Sequence, residues 1–427
     1  MSNAIPQGWA LYTLRDVADN KDKYSFTGGP FGSDLKSEDY TESGVRIIQL
    51  QNIGDGQFKN KYKIYTSEDK ADALRSCNIY PGDIILSKMG DPVARAVIIP
   101  AHSQRYLMAS DGIRLCVDEA KFNVKFVHDT INSAEFRMQA ELNSTGTTRK
   151  RIGLTQLREL TIACPPLLEQ QKIAKILTSV DDVIEKTQAQ IDKLKDLKTG
   201  MMQELLTCGV GVDAKLHTEF KDSPVGRIPV GWEAVLLDSV AKRGSGHTPD
   251  KQKPEYWNDG IKWVSLTDSS KLDKLYIHET SKKISQLGIE NSSATMHPSG
   301  TVVMARDAGV GKSAIITSPM AVSQHFMAWV CGEKLDKHFL YYLLQLWKPQ
   351  FEAIAMGSTI KTIGLPYFKK LQIPLPPLDE QEKIAAGLKS VDEKIFAVER
   401  KLQGVKNTKK ALMQDLLTGK VRVKVDS

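Results

Sequence analysis

Two stretches of the chain place apolar residues at alternating spacings of four and three. The first runs Ile173, Leu177, Val180, Ile184, Thr187, Ile191, Leu194, Lys198, Met201, Leu205. The second runs Ile384, Leu388, Val391, Ile395, Val398, Leu402, Val405, Lys409, Leu412, Leu416. A stripe held over about four and a half heptads predicts a coiled-coil helix in each stretch. Each stripe is interrupted by a lysine at the same slot, Lys198 and Lys409. A polar residue there either fixes register or orientation, or lies along the seam edge with its ammonium in water. The pattern leaves both readings open.

The two stripes belong to a longer repeat. Shifting the chain by 211 positions aligns 152–207 with 363–418 without a gap, and a little under half the positions are identical. "CPPLLEQQKIAKIL" (Cys164–Leu177) meets "LPPLDEQEKIAAGL" (Leu375–Leu388). The Pro-Pro pairs stop a strand and open a helix, and Glu169, Asp379 and Glu380 suit its positive end. A helix with one apolar seam needs a partner, and the other copy supplies one. Pairing them antiparallel makes a rod of roughly 48 Å at 1.5 Å per residue.

Upstream of each copy lies a weaker repeat. "IPQGWALYTLRDVA" (Ile5–Ala18) resembles "IPVGWEAVLLDSVA" (Ile228–Ala241), and "DIILSKMG" (Asp83–Gly90) parallels "TVVMARDA" (Thr301–Ala308). Short β-branched runs bounded by Gly, Pro, Asp or Asn predict strands at "VRIIQL", "DIILS", "RAVIIP", "IRLCV", "IKWVSL", "TVVMA", "SAIIT" and "FMAWVC". "VKFVHDTINSAEFRMQAEL" and "DKHFLYYLLQLWKPQFEAIA" predict one amphipathic helix each. The fold class is therefore mixed α/β (α+β). Two pseudo-repeated globular domains, 1–155 and 228–366, alternate with helical regions 156–210 and 367–420. A linker, 211–227, and a tail, 421–427, complete the chain.

Composition adds little to this pattern. The 427 residues carry a net charge of +7, which permits nucleic-acid binding without requiring it. Residues 1–155 hold 20 Lys/Arg against 19 Asp/Glu, so a DNA-binding face there must concentrate its cations. No apolar run reaches the roughly 18–20 residues of a membrane span, and the N-terminus lacks a secretory pattern, so a cytoplasmic location is expected. The five scattered cysteines show no C-x-x-C spacing and are expected to be free thiols.

No active-site motif is complete. "GVGKS" (Gly309–Ser313) lacks the first glycine of a phosphate loop, since position 306 is Arg306. The Pro-Pro pairs precede leucine, unlike the Asn/Asp-Pro-Pro-aromatic motif of an amino-methyltransferase. The histidines show no metal-ligand spacing, and His247 and His325 stand alone. Basic and polar loops remain. The first domain offers Lys88, Arg95, Arg149, Lys150 and Arg151. The second offers Arg243, His247, Thr248, Lys251, Arg306, Lys312, Thr359 and Lys361. Arg and Lys can grip phosphates or pair guanine edges, and small residues let the backbone approach a phosphate.

The layout resembles the specificity subunit of type I restriction–modification systems over essentially the whole chain. The marks are "GGPFGSDL", in and beside which Ser33 and Lys36 are further candidate DNA-binding residues, "GVRIIQLQNI", "GSGHTP", "EYWNDGIKWVSL", both copies of "PPL-x-EQ-x-KIA", "FKDSPVGRIPVGW" and "LLTGKVRV". The resemblance implies a non-catalytic reader with two target-recognition domains, each reading one half of a bipartite, asymmetric DNA site. The two helices would space them. Two modification subunits would supply S-adenosylmethionine-dependent adenine methylation, and restriction subunits would supply an ATP- and magnesium-dependent nuclease, so no cofactor is expected on this chain. The alternative is a coiled-coil scaffold whose globular ends bind protein.

Overall fold

The computed structural model describes residues 5–211 and 215–425. Residues 212–214 of the expected linker and the last two of the expected tail lie outside the described residues. The chain divides into two compact units. The first comprises 1–187 with 401–427, and the second comprises 188–400.

All eight predicted strand runs contain strands. In the first unit Phe26–Gly28, Gly112–Leu115, Ile84–Ser87 and Ala96–Ile98 form an antiparallel sheet in that order. A second sheet runs Tyr40–Thr41, Ile64–Thr66, Val45–Ile48, Tyr106–Met108, Asn78–Ile79. Its Val45–Ile48 strand is parallel to Tyr106–Met108. The second unit repeats the scheme. One sheet runs Ala241–Ser245, Phe326–Cys331, Val302–Ala305, Ser313–Ile316, Tyr276–Ile277. The other runs Lys282–Ile284, Trp257–Val264, Met320–Val322, Met296–His297, again with one parallel pair.

Each predicted amphipathic helix is two helices. The first breaks into Val124–Ile131 and Ala134–Leu142 because Ser133 turns its hydroxyl to the Phe136 amide and caps a new helix. The second breaks into Lys337–Leu346 and Lys348–Ile354, the latter opening on Pro349. "GVGKS" ends not at a helix but at the strand Ser313–Ile316, which removes the geometry a phosphate loop requires.

The two stripes become the long helices Leu167–Cys208 and Leu378–Leu417. In the first unit, Ile173, Ala174 and Leu177 share a core with Leu416 and Leu417. In the second, Met202 and Leu206 share one with Ile384 and Leu388. Within each unit the helices are antiparallel. Every seam position named above is buried or half-buried, including Val180, Ile184, Ile191, Leu194, Leu205, Val391, Ile395, Val398, Leu402, Val405 and Leu412.

The seam lysines follow neither reading alone, because each is half-buried and paired. Lys198 Nζ lies 2.7 Å from Asp392, and Lys409 Nζ lies 2.6 Å from Asp181. Asp181 and Asp392 are the same residue of the repeat. Each also takes a donor from its own globular domain. Asp181 accepts from Lys125 at 2.8 Å, and Asp392 accepts from the Tyr342 hydroxyl at 2.8 Å.

The repeated Glu-Gln pair has a matching task. Gln170 and Gln381 are 1% and 0% exposed. Gln170 donates to the carbonyls of Pro165 (2.9 Å) and Lys121 (3.2 Å) and accepts from the Asn123 amide (2.9 Å). Gln381 donates to Pro376 (2.8 Å) and Lys334 (3.0 Å) and accepts from Asp336 (2.9 Å). Asn123 and Asp336 are the N-caps of Val124–Ile131 and Lys337–Leu346, so each glutamine fastens a domain helix to the start of a long helix. The preceding glutamates hold the segment that follows a long helix. Glu169 takes a two-pronged contact from Arg422 (2.9 and 2.8 Å). Glu380 accepts from the Val210 amide (2.8 Å) and lies 3.0 Å from His217 Nε2.

Candidate nucleic-acid interface

In each unit a hairpin loop between two sheet strands meets a second hairpin that precedes the helical region. In the first unit the loop after Ile84–Ser87 carries Lys88 and Arg95. The Ile152 amide donates to the Lys88 carbonyl (2.9 Å), and the Gly90 amide donates to Lys150 (3.2 Å). The second hairpin is closed by two reciprocal hydrogen bonds of 2.8 Å between Thr145 and Arg151. Gly146, at φ +93°, makes its turn, where a Cβ would stand 2.9 Å from the Arg149 carbonyl. In the second unit the Ile363 amide donates to Arg306 (3.0 Å) and the Ala308 amide to Lys361 (3.3 Å). Met356 and Thr362 close the matching hairpin at 3.1 and 2.8 Å.

These contacts bring Lys88, Arg95, Arg149, Lys150 and Arg151 to one loop cluster, and Arg306, Lys312, Thr359 and Lys361 to another. Their availability differs. Lys150 pairs with Glu141, and Arg151 pairs with Asp111 at 2.8 Å. Lys88 donates to the Ser110 carbonyl at 3.0 Å, and burial pushes its ammonium below its ordinary value while Asp111 acts in the opposite sense. Arg149 is exposed and, among the described residues, has no ion pair, and the same is true of Lys361 and Lys251. Ser33 and Lys36 are exposed in a separate loop, where Ser33 donates to Asp34 (3.3 Å) and Lys36 pairs with Glu38 (3.3 Å). No hydrogen bond or ion pair among the described residues joins them to the Lys88 cluster.

In the second unit Arg243 sits within a strand and pairs with Asp238 at 3.0 Å, away from the loop cluster in its hydrogen bonding. Lys312 donates to the Ser269 hydroxyl at 3.0 Å. Thr248 donates to Gln324 Oε1 at 2.6 Å. His247 contributes its carbonyl to the Trp263 indole N–H at 3.1 Å. His325 is not isolated, since its Nδ1 lies 2.8 Å from Asp307 and its carbonyl accepts from the Arg306 amide at 2.9 Å. With Thr248, Lys251, Trp257, Trp263 and Gln324, it lines an open cavity of about 580 Å³. The indoles of Trp257 and Trp263 meet edge to face, 5.2 Å between centroids. Sequence reasoning missed Asp307, Trp257 and Trp263 as members of this edge. The His325–Asp307 contact crosses 18 positions and leaves no local trace.

All five cysteines are free, and burial pushes the Cys116, Cys164 and Cys331 thiols up to about 12.

One cationic loop edge precedes each of the two long helices. The family model of the type I restriction modification DNA specificity domain matches residues 6–196 and again 229–407. The chain belongs to that family. Its role is recognition of DNA sequence. A putative specificity subunit of type I restriction enzyme MjaX from Methanocaldococcus jannaschii is 26% identical, covering 98% of this chain and 95% of that protein. The MjaVIII specificity subunit of the same organism is 32% identical over 65% of this chain and 66% of its own length. Among solved structures, an S subunit of a type I system from M. genitalium shares the fold at TM-score 0.57 and 15% identity, covering 100% of this chain and 98% of that one. So does a chain solved in work on complex assembly and conformational transition of the type I R–M system, at TM-score 0.59 and 18% identity over 98% and 99%. No helix among the described residues is long and apolar enough to cross a membrane.

Proposed function

We propose that this specificity-family chain is a non-catalytic reader of a bipartite, asymmetric DNA target. One half-site is read by each globular domain, across an unread spacer set by the paired helices. The observation that carries this reading is the duplicated edge, in which the same hydrogen-bonded pair of hairpins carries different side chains in the two units. An equivalent frame with different chemistry suits two different half-sites. The reader works with two modification subunits bringing S-adenosylmethionine and with restriction subunits bringing ATP and magnesium, in the cytoplasm.

Methylation-motif sequencing of a host carrying this chain with its modification subunit tests the reading. The expected result is two unlike half-sites of about three to five base pairs around a spacer of about five to eight. A continuous palindrome would refute it. Inserting one heptad into each long helix should lengthen the spacer and leave the half-site letters unchanged. The isolated chain, given labelled methyl donor and DNA, should transfer nothing. Salt-dependent binding to duplex DNA by the assembled complex separates this reading from a protein-binding scaffold.

A further inference from the structure

The hairpin that closes the reading edge of the second unit carries two apolar side chains in solvent. Met356 is 82% exposed and Ile360 55%. They stand at either end of the turn Gly357–Ile360, whose shape is fixed. Gly357 has φ +126°, and a Cβ there would lie 2.2 Å from the Ile360 carbonyl, so only glycine fits. The hairpin's base is closed by two hydrogen bonds, and two more tie it to the loop bearing Arg306. Two exposed apolar groups stand together on a braced turn where polar residues would serve as well. The first unit shows this directly. Its equivalent hairpin, with the same closing bonds, has Thr145 and Arg149 where the second has Met356 and Ile360.

The surroundings indicate the partner. Lys361 follows Ile360 and is exposed without an ion pair among the described residues, and Arg306 and Lys312 lie on the loop the hairpin is bonded to. Arg306 lies 3.6 Å from Asp307 and Lys312 donates to Ser269, so Lys361 is the exposed cation beside the rigid apolar tip, and that pairing matches a nucleic-acid duplex. A phosphate takes the cation, and an apolar side chain presses between stacked bases at a flexible step. A protein surface of like exposure would instead favour a continuous apolar patch with charge at its rim.

Resting on the DNA-reading role, we propose that Ile360, supported by Met356, is a wedge that partly unstacks one base step in the half-site read by the second unit. The first unit grips its half-site with Arg149 in the same place and inserts nothing from that hairpin. Ile360 is thus a specificity-determining residue that reads deformability, favouring a pyrimidine–purine step, without a hydrogen bond to a base edge.

The test uses the full chain assembled with its modification subunits, on a duplex carrying the sequenced target and end-placed fluorophores. Wild type should bend the duplex. Ile360→Ser combined with Met356→Ser should reduce the bend, weaken binding about ten-fold, and relax base preference at one step of one half-site. Ile360→Leu should retain the bend. An unaltered bend and motif in the double variant overturns the wedge, while wild-type binding shows the reader role intact. Failure of the double variant to assemble with the modification subunits also overturns it, assigning the hairpin to a protein contact. Absence of duplex binding by wild type would strike the reader role itself.

Discussion

The two units share a frame and differ in what the frame displays. At Gln170 and Gln381 the same atoms meet the same kinds of partner in both, and Asp181 and Asp392 each pair with the seam lysine of the other long helix. At the loop edges, backbone bonds coincide while side chains do not. Arg149 occupies the repeat position of Ile360, and Met89 that of Asp307. The repeat therefore retains what joins a domain to the helices and lets what faces outward change.

The largest expected effect tests the shared part. Gln170→Ala strands a buried amide and removes the donor to two carbonyls, which should cost on the order of 2–3 kcal/mol. Gln381→Ala should cost about the same. Denaturant unfolding measures the loss, and hydrogen exchange at the Asn123 and Asp336 amides locates it. A large loss in one unit and none in the other would break the equivalence.

The aspartates should separate the units. Asp181 faces two ammonium groups, whereas Asp392 faces one ammonium and a phenol. Asp181→Asn should destabilise by about 2 kcal/mol and Asp392→Asn by about 1, since these pairs are only partly buried. Matched losses would show that Lys125 contributes no more to Asp181 than the Tyr342 hydroxyl does to Asp392.

At the edges the effects are smaller. Arg149→Ala should weaken DNA binding by the assembled complex about three-fold and lower its salt slope by about one. Lys150→Ala should do less, because Glu141 already neutralises that charge. The smallest effect concerns the tail. The hydrogen bond from Arg422 holds the Glu169 carboxyl below its ordinary value. A carboxylate lowered on folding stabilises above its unfolded pKa, and that contribution is lost as pH falls through the folded value. Arg422→Ala should cost about 0.5 kcal/mol at neutral pH and nothing in strong acid, as read from melting temperatures across that range.

Periodicity made the helices and strands legible, since each depends on residues near in sequence. The seam, the helix starts at Leu167 and Leu378, and all eight strand runs follow from such local rules. The splits at Ser133 and Pro349 were written as plainly, in a capping hydroxyl and a helix-opening proline, but the longer apolar period hid them. Arg243 looked free because its partner Asp238 sits in a short helix that the pattern does not mark. His325 looked isolated because Asp307 arrives through a strand pairing. The edge itself was visible only as scattered cations. Which of them remain free depends on carboxylates such as Glu141 and Asp111, brought near by folding.

Gln170 and Gln381 recognise their domains through main-chain atoms alone, one amide and one carbonyl from a helix-capping turn in each case. Such a socket does not inspect side chains. A domain that presents a capped turn with a free N–H and C=O in that spacing satisfies the glutamine, while Lys125 and Tyr342 add side-chain contacts to Asp181 and Asp392. A lineage can thus acquire a new DNA vocabulary by replacing a whole cartridge, without rewriting the holder that receives it.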